Sequence, residues 1–191
     1  MQKIIKYLFY FGVSICFFVI TAIISTNLYL RPTLPEINLV DQSELQMPLK
    51  VYTKDEKLIG EFGEIKRRAI SYEEIPDDIR NAFLAAEDDN FFNHQGISYT
   101  GLIRSFLRCL RPSGCEGGGG TITMQVVRGY LLTREQTIIR KLKEIFLALE
   151  LEGNLEKEEI FELYVNRIFL GNRSYGIQAA ANTYFDKSLS E

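Results

Sequence analysis

The sequence predicts a mainly α-helical domain carried on one transmembrane helix, with a short β-hairpin between them. Three observations predict it: an uncharged apolar run from Tyr7 to Leu30, two β-rich runs around a polar turn at 49–62, and apolar residues at helical spacing through much of 76–172. The 191 residues carry a net charge of −3, so no basic excess points to nucleic acid.

The run at 7–30 is long enough to cross a hydrocarbon core of about 30 Å as a helix. Lys3 and Lys6 precede it, whereas only Arg31 follows before Lys50, so residues 1–6 are expected in the cytoplasm and the bulk outside. A cleaved signal peptide is the competing reading, but the run exceeds the usual h-region and no A-x-A site follows Leu30. Residues 31–48, with three prolines, read as a stalk. Residues 49–70 read as hairpin and linker, and 71–191 as one domain able to bury a core.

Pro76, Asp77 and Asp78 mark a helix start, because proline suits the first turn and acids suit the positive end of the dipole. In "SYTGLIRSFLRCLR" (98–111), Leu102, Ile103, Phe106 and Leu107 form one stripe and Arg104, Arg108 and Arg111 another. Such a helix either packs on the core or lies in the headgroup layer with its arginines toward anionic lipid. The four glycines of "CEGGGGTITMQVVRG" (115–129) lack a following GK[ST], which excludes a Walker loop. Ile138, Ile139, Leu142, Ile145, Phe146 and Leu149 make a stripe on a helix that Thr133 is expected to cap. A further helix over 156–172 is expected to stop at Gly171. "SLSE" (188–191) has the form of a capping box, so the domain is expected to be incomplete at its carboxy end.

Cys109 and Cys115 flank "LRPSG" in a part expected outside the cytoplasm, where an oxidising compartment permits them to pair. One histidine and no CxxC give no support for zinc or haem. Ile79, Phe83 and Glu87 are spaced by four, which projects Glu87 from the apolar side of its helix. A carboxyl group so buried is disfavoured as an anion and suited to proton transfer; the alternative is a partly exposed helix-end glutamate. Asp88 and Asp89 are expected to point elsewhere, and His94 to be structural. Arg140 and Glu144, spaced i,i+4, read either as a surface ion pair or, beside Lys141 and Lys143, as the lining of an anion-binding cleft.

"EDDNFFNHQG" (87–96), "GGGTITMQVVR" (118–128), "RKLKE" (140–144), "KEEIFELYVNRIFLG" (157–171) and "YGIQAAANTYFDKS" (175–188) follow one another in order. Together they resemble the successive motifs of the peptidoglycan glycosyltransferase domain of class A penicillin-binding proteins. Residues 47–76 resemble the approach to that domain in the Gram-negative type. The resemblance implies a lysozyme-like fold at the outer face of the bacterial inner membrane. The implied partners are lipid II, the growing glycan strand, the membrane and other cell-wall synthesis proteins.

On this resemblance Glu87 matches the general base, which takes a proton from the acceptor sugar's 4-hydroxyl as it attacks C1 of the donor. The donor is α-linked and the product β-1,4, so the displacement inverts. Glu144, Arg140 and Lys141 match residues near the leaving diphosphate, with Glu144 a catalytic candidate and a candidate ligand for magnesium or manganese. Asp88, Thr121, Thr123, Gln125 and Arg128 match positions implied to contact substrate. Helix 98–111 matches the mobile part that admits the lipid tail.

The sequence departs from the family pattern at Gly120, Met124 and Arg128, and at Asp186, where a family glycine gives way to a residue that would be strained in any turn requiring positive φ. No S-x-x-K occurs, so penicillin binding is not expected of these residues. Two alternatives to a polymerase are a non-catalytic fragment that binds lipid II or partners, and a lysozyme-like hydrolase.

Overall fold

The computed structural model describes residues 2–37, 49–62, 66–109, 120–133 and 137–189. The chain divides into two units, Met1–Glu36 and Ile37–Glu191. The first is helix α1 (Gln2–Leu30) with a single 3-10 turn, Arg31–Thr33. Its 29 residues span about 43 Å at about 1.5 Å per residue, more than a bilayer core needs. Phe9, Phe11, Phe17 and Phe18 are among its many exposed apolar side chains.

The second unit opens with the expected hairpin. Strands β1 (Leu49–Tyr52) and β2 (Leu58–Phe62) pair antiparallel from Leu49↔Phe62 to Val51↔Gly60, with a bulge between Val51 and Tyr52. Strand β3 (Lys66–Arg67) pairs in parallel with β4 (Ser174–Tyr175), so part of the expected linker is tied to a distant segment. Asn166 completes this tie: Ile70 N donates to its Oδ1 at 3.0 Å and its Nδ2 donates to Ile70 O at 2.8 Å.

Among the described residues six α-helices follow: α2 (Asp77–Glu87), α3 (Tyr99–Cys109), α4 (Ile122–Tyr130), α5 (Ile138–Glu152), α6 (Lys157–Arg167) and α7 (Ile177–Phe185). Helix α4 packs against both α5 and α6. Ile122, Met124, Val126, Val127, Leu147, Leu151, Ile160, Phe161 and Val165 are fully buried there, with Phe91. Each such side chain contributes about 1.5–3 kcal/mol of burial, enough to make α4 the fixed reference for the side chains it carries.

Three expectations are corrected. Helix α5 starts at Ile138, capped by Thr137, whose hydroxyl accepts from Arg140 N at 3.1 Å; Thr133 lies upstream of the helix. Its inward face carries Glu144, Leu147, Ala148 and Leu151, whereas Ile138 is 82% exposed and Ile139 and Leu149 are exposed too. Helix α6 ends at Arg167 rather than near Gly171, because the backbone turns extended at Ile168. Gly171 instead opens a reverse turn in which Ser174 N donates to Gly171 O at 2.7 Å. On α3, Ile103 and Leu107 are exposed and add nothing to the core. The Cys109–Cys115 pairing, the stalk beyond residue 37, the glycines at 117–119 and the last two residues of the capping box, 190 and 191, lie outside the described residues.

Candidate active site

Helix α2 ends at Glu87, and at its C-cap, Asp88, the backbone leaves the helix with φ −160° and ψ 80°. That change separates the two acids. Glu87 is exposed, contrary to the buried setting expected from its spacing, and Asp88 is buried, contrary to the expectation that it points away. Asp88 Oδ2 meets His94 Nε2 at 2.9 Å and accepts from Ile122 N at 3.1 Å. Asp88 therefore holds the first turn of α4, and His94, edge-on to Phe91, supports it from the other side.

Thr121 and Thr123 are engaged as well. Thr121 caps α4 by accepting from Met124 N at 3.1 Å, and its own hydroxyl donates to Gly96 O at 2.6 Å. Gly96 has φ +78°, and a Cβ there would meet Ala148 O at 2.7 Å, so the loop approaches α5 only as glycine. Thr123 is fully buried and donates to Glu152 Oε1 at 2.6 Å; Lys157 Nζ donates to the same oxygen at 2.7 Å. Asp88, Thr121 and Thr123 are thus engaged in positioning α4.

Beyond its first turn α4 lines a cavity. Gln125, one turn after Thr121, lines this cavity of about 660 Å³ together with Arg128, Arg140, Tyr164 and Arg167. Gln125 Nε2 donates to Glu87 Oε2 at 2.8 Å, which ties the acid to the cavity wall. Arg167 donates to Gly129 O, and its guanidinium stacks 4.7 Å from the Tyr130 ring centroid.

Glu144 is 0% exposed rather than at the surface. Its Oε1 accepts from Arg140 Nη1 and its Oε2 from Lys141 Nζ at 2.9 Å. With both oxygens engaged by cations, Glu144 orients Arg140 and Lys141. Among the described residues no three His, Cys, Asp or Glu side chains converge as a metal site.

Three buried side-chain polar atoms lack a hydrogen-bond partner among the described residues: His94 Nδ1, Arg140 Nε and Tyr164 Oη. Two of these residues, Arg140 and Tyr164, line the cavity. An acid at one edge, arginines along the wall and two unpartnered groups together suit an anionic ligand rich in acceptor oxygens. Tyr164 and Arg167 were not singled out from the sequence. Tyr164 falls on the buried stripe Ile160, Phe161, Tyr164 and Val165, where a hydroxyl among apolar side chains is the available signal.

A family model described as Transglycosylase matches residues 55–191. Penicillin-binding protein 1A of Pseudomonas aeruginosa is 46% identical over 190 residues, 100% of this chain and 23% of that protein. Penicillin-binding protein 1A of Haemophilus influenzae is 49% identical over 150 residues, 78% of this chain and 18% of that protein. A crystal structure of the Haemophilus influenzae protein covers 78% of this chain and 12% of that one, at 32% identity and a TM-score of 0.35. The chain thus spans less than a quarter of the length of these curated relatives.

Proposed function

The chain belongs to the transglycosylase family, and on that premise we propose that it polymerises peptidoglycan glycan strands from lipid II. The observation that carries this reading is a single cavity whose wall bears Gln125, hydrogen-bonded to Glu87, and also Arg140, held by Glu144. The acceptor's 4-hydroxyl oxygen forms a bond to C1 of the donor sugar, and its proton passes to Glu87. The bond from C1 to the phosphate oxygen breaks, and its electron pair leaves with undecaprenyl diphosphate. Attack and departure on opposite faces of C1 invert the configuration, so a base and a stabilised leaving group suffice.

Charge assigns the remaining roles. Arg140, Lys141 and Arg128 compensate the negative charge growing on the diphosphate, and Gln125 holds Glu87 at the cavity edge. Glu144 acts on the reaction only by fixing the two cations. Magnesium or manganese enters this reading as an ion carried by the diphosphate, since Glu144 is engaged on both oxygens. The reading puts α1 in the inner membrane, residues 1–6 in the cytoplasm and the cavity on the periplasmic side, supported by the apolar span and by Lys3 and Lys6 before it. Other cell-wall synthesis proteins are its proposed neighbours.

The test uses this chain in phospholipid vesicles supplied with labelled lipid II. Glycan strands growing with time are the expected product. No polymer, or soluble muropeptides released from purified wall, would replace the reading with a non-catalytic binder or a hydrolase.

A further inference from the structure

Glu152 ends α5 and Lys157 begins α6, so each sits at the end of its own helix where the backbone dipole disfavours its charge. Local helix preference therefore accounts for neither residue; their pairing accounts for both. Lys157 Nζ donates to Glu152 Oε1 at 2.7 Å, and the two side chains are 17% and 8% exposed. Taking such a pair out of water costs about as much as its attraction returns, so its value lies in what else it holds.

It holds two segments. On one side, Glu152 Oε1 also accepts from the fully buried Thr123 in the first turn of α4 at 2.6 Å. Gln125 lies two residues on, about 200° around that helix, so pinning Thr123 sets the direction in which Gln125 leaves α4. On the other side, Lys157 Nζ stands 4.5 Å from the ring centroid of Phe91, within cation–π range. Phe91 is the fully buried ring of the loop that leaves α2 directly after Glu87, and its N–H donates to Asp88 O at 3.1 Å. The same loop returns over Glu152 at Gly96, where a Cβ would come within 3.0 Å of Glu152 Cγ. One ion pair thus grips both segments whose side chains meet in the 2.8 Å hydrogen bond from Gln125 to Glu87.

Resting on the polymerase reading above, we propose that Lys157 and Glu152 are positioning residues for glycosyl transfer, holding Glu87 and Gln125 in register through Phe91 and Thr123. Neither residue lines the cavity, so the pair acts on the reaction through the base and not through lipid II binding. What it governs is the distance from Glu87 to the hydroxyl that Glu87 deprotonates, and a displacement of about 1 Å there is enough to cost about 100-fold in rate.

Lys157→Met keeps an unbranched side chain over Phe91 and removes the charge, whereas Lys157→Arg keeps a cation. Rates are measured in vesicles at saturating lipid II, well below the thermal midpoint of each chain, with lipid II binding measured alongside. Lys157→Met is expected to polymerise about 10- to 100-fold more slowly with binding retained, and Lys157→Arg to recover most of the rate. Should Glu152 without its cation keep the chain from folding, the doubly neutral Glu152→Gln, Lys157→Met chain, in which an amide oxygen still accepts from Thr123, carries the same expectation. Parental turnover without the Lys157 charge, rate and binding that fall together, or Lys157→Arg as slow as Lys157→Met overturns the assignment and leaves the polymerase reading standing. Failure of the unaltered chain to polymerise lipid II overturns both.

Discussion

Glu87 and Asp88 are neighbours in opposite settings, and the difference is set by one backbone step. Glu87 is the last residue of α2 and reaches Gln125, whereas Asp88 turns inward to meet His94 and Ile122 N. Asp88→Ala would leave that backbone N–H and the imidazole without their partner, so unfolding by denaturant should show a loss of about 2–3 kcal/mol. An unchanged stability would mean that the side chain does not hold α4. Glu144 poses the same question for a buried charge. Glu144→Gln leaves Arg140 and Lys141 facing each other uncompensated. Breaking a fully buried pair costs about 3–5 kcal/mol, but Lys141 is 38% exposed, so about 2–3 kcal/mol is expected from the same measurement. Added magnesium should not restore the loss, because Glu144 is a partner for cations of the chain itself.

At the scale of elements, the hairpin, the start of α2 and the amphipathic α3 were legible because local pattern decides them: alternation around a turn, Pro-Asp-Asp at a helix start, and two stripes of opposite character. The positions of Glu87 and Asp88 were not: the Ile79, Phe83 and Glu87 stripe lies on a helix with no fully buried residue, and Asp88 sits at the C-cap, where helical periodicity ends. On α5 the equation of apolar with buried misled. The inward stripe at 144, 147, 148 and 151 has i, i+3, i+4, i+7 spacing but contains an acid, and Ile138 and Ile139 lie outside the core. Gly171 suggested a helix end, yet it serves a reverse turn whose central residues, Asn172 and Arg173, have φ 44° and 61°. Asparagine tolerates that region and arginine does not. Arg173→Gly should therefore raise stability by up to about 1 kcal/mol, read as an upward shift of the thermal midpoint, after allowing for glycine's greater freedom in the unfolded chain. Asp186 bears out the concern raised by its replacement of a family glycine: it occupies the left-handed region at φ 54°.

For the whole molecule, one long apolar helix and one helical unit divide the work. The helix suits a bilayer by length and composition. In the second unit, α4 is held at its first turn by Asp88, Thr121 and Thr123 and presents Gln125 and Arg128 to the cavity. The motif series in the sequence pointed to both sets of residues alike; burial and hydrogen bonding divide them into those that hold α4 and those that line the cavity. The claim on which the account depends is that Glu87, at the edge of this cavity, takes the proton in glycosyl transfer. The most direct measurement compares initial polymerisation rates of the chain and its Glu87→Gln variant in vesicles, with lipid II binding measured alongside. The account predicts a rate about 10²- to 10⁴-fold lower with binding retained, and a Glu87→Gln chain polymerising at the parental rate would contradict it.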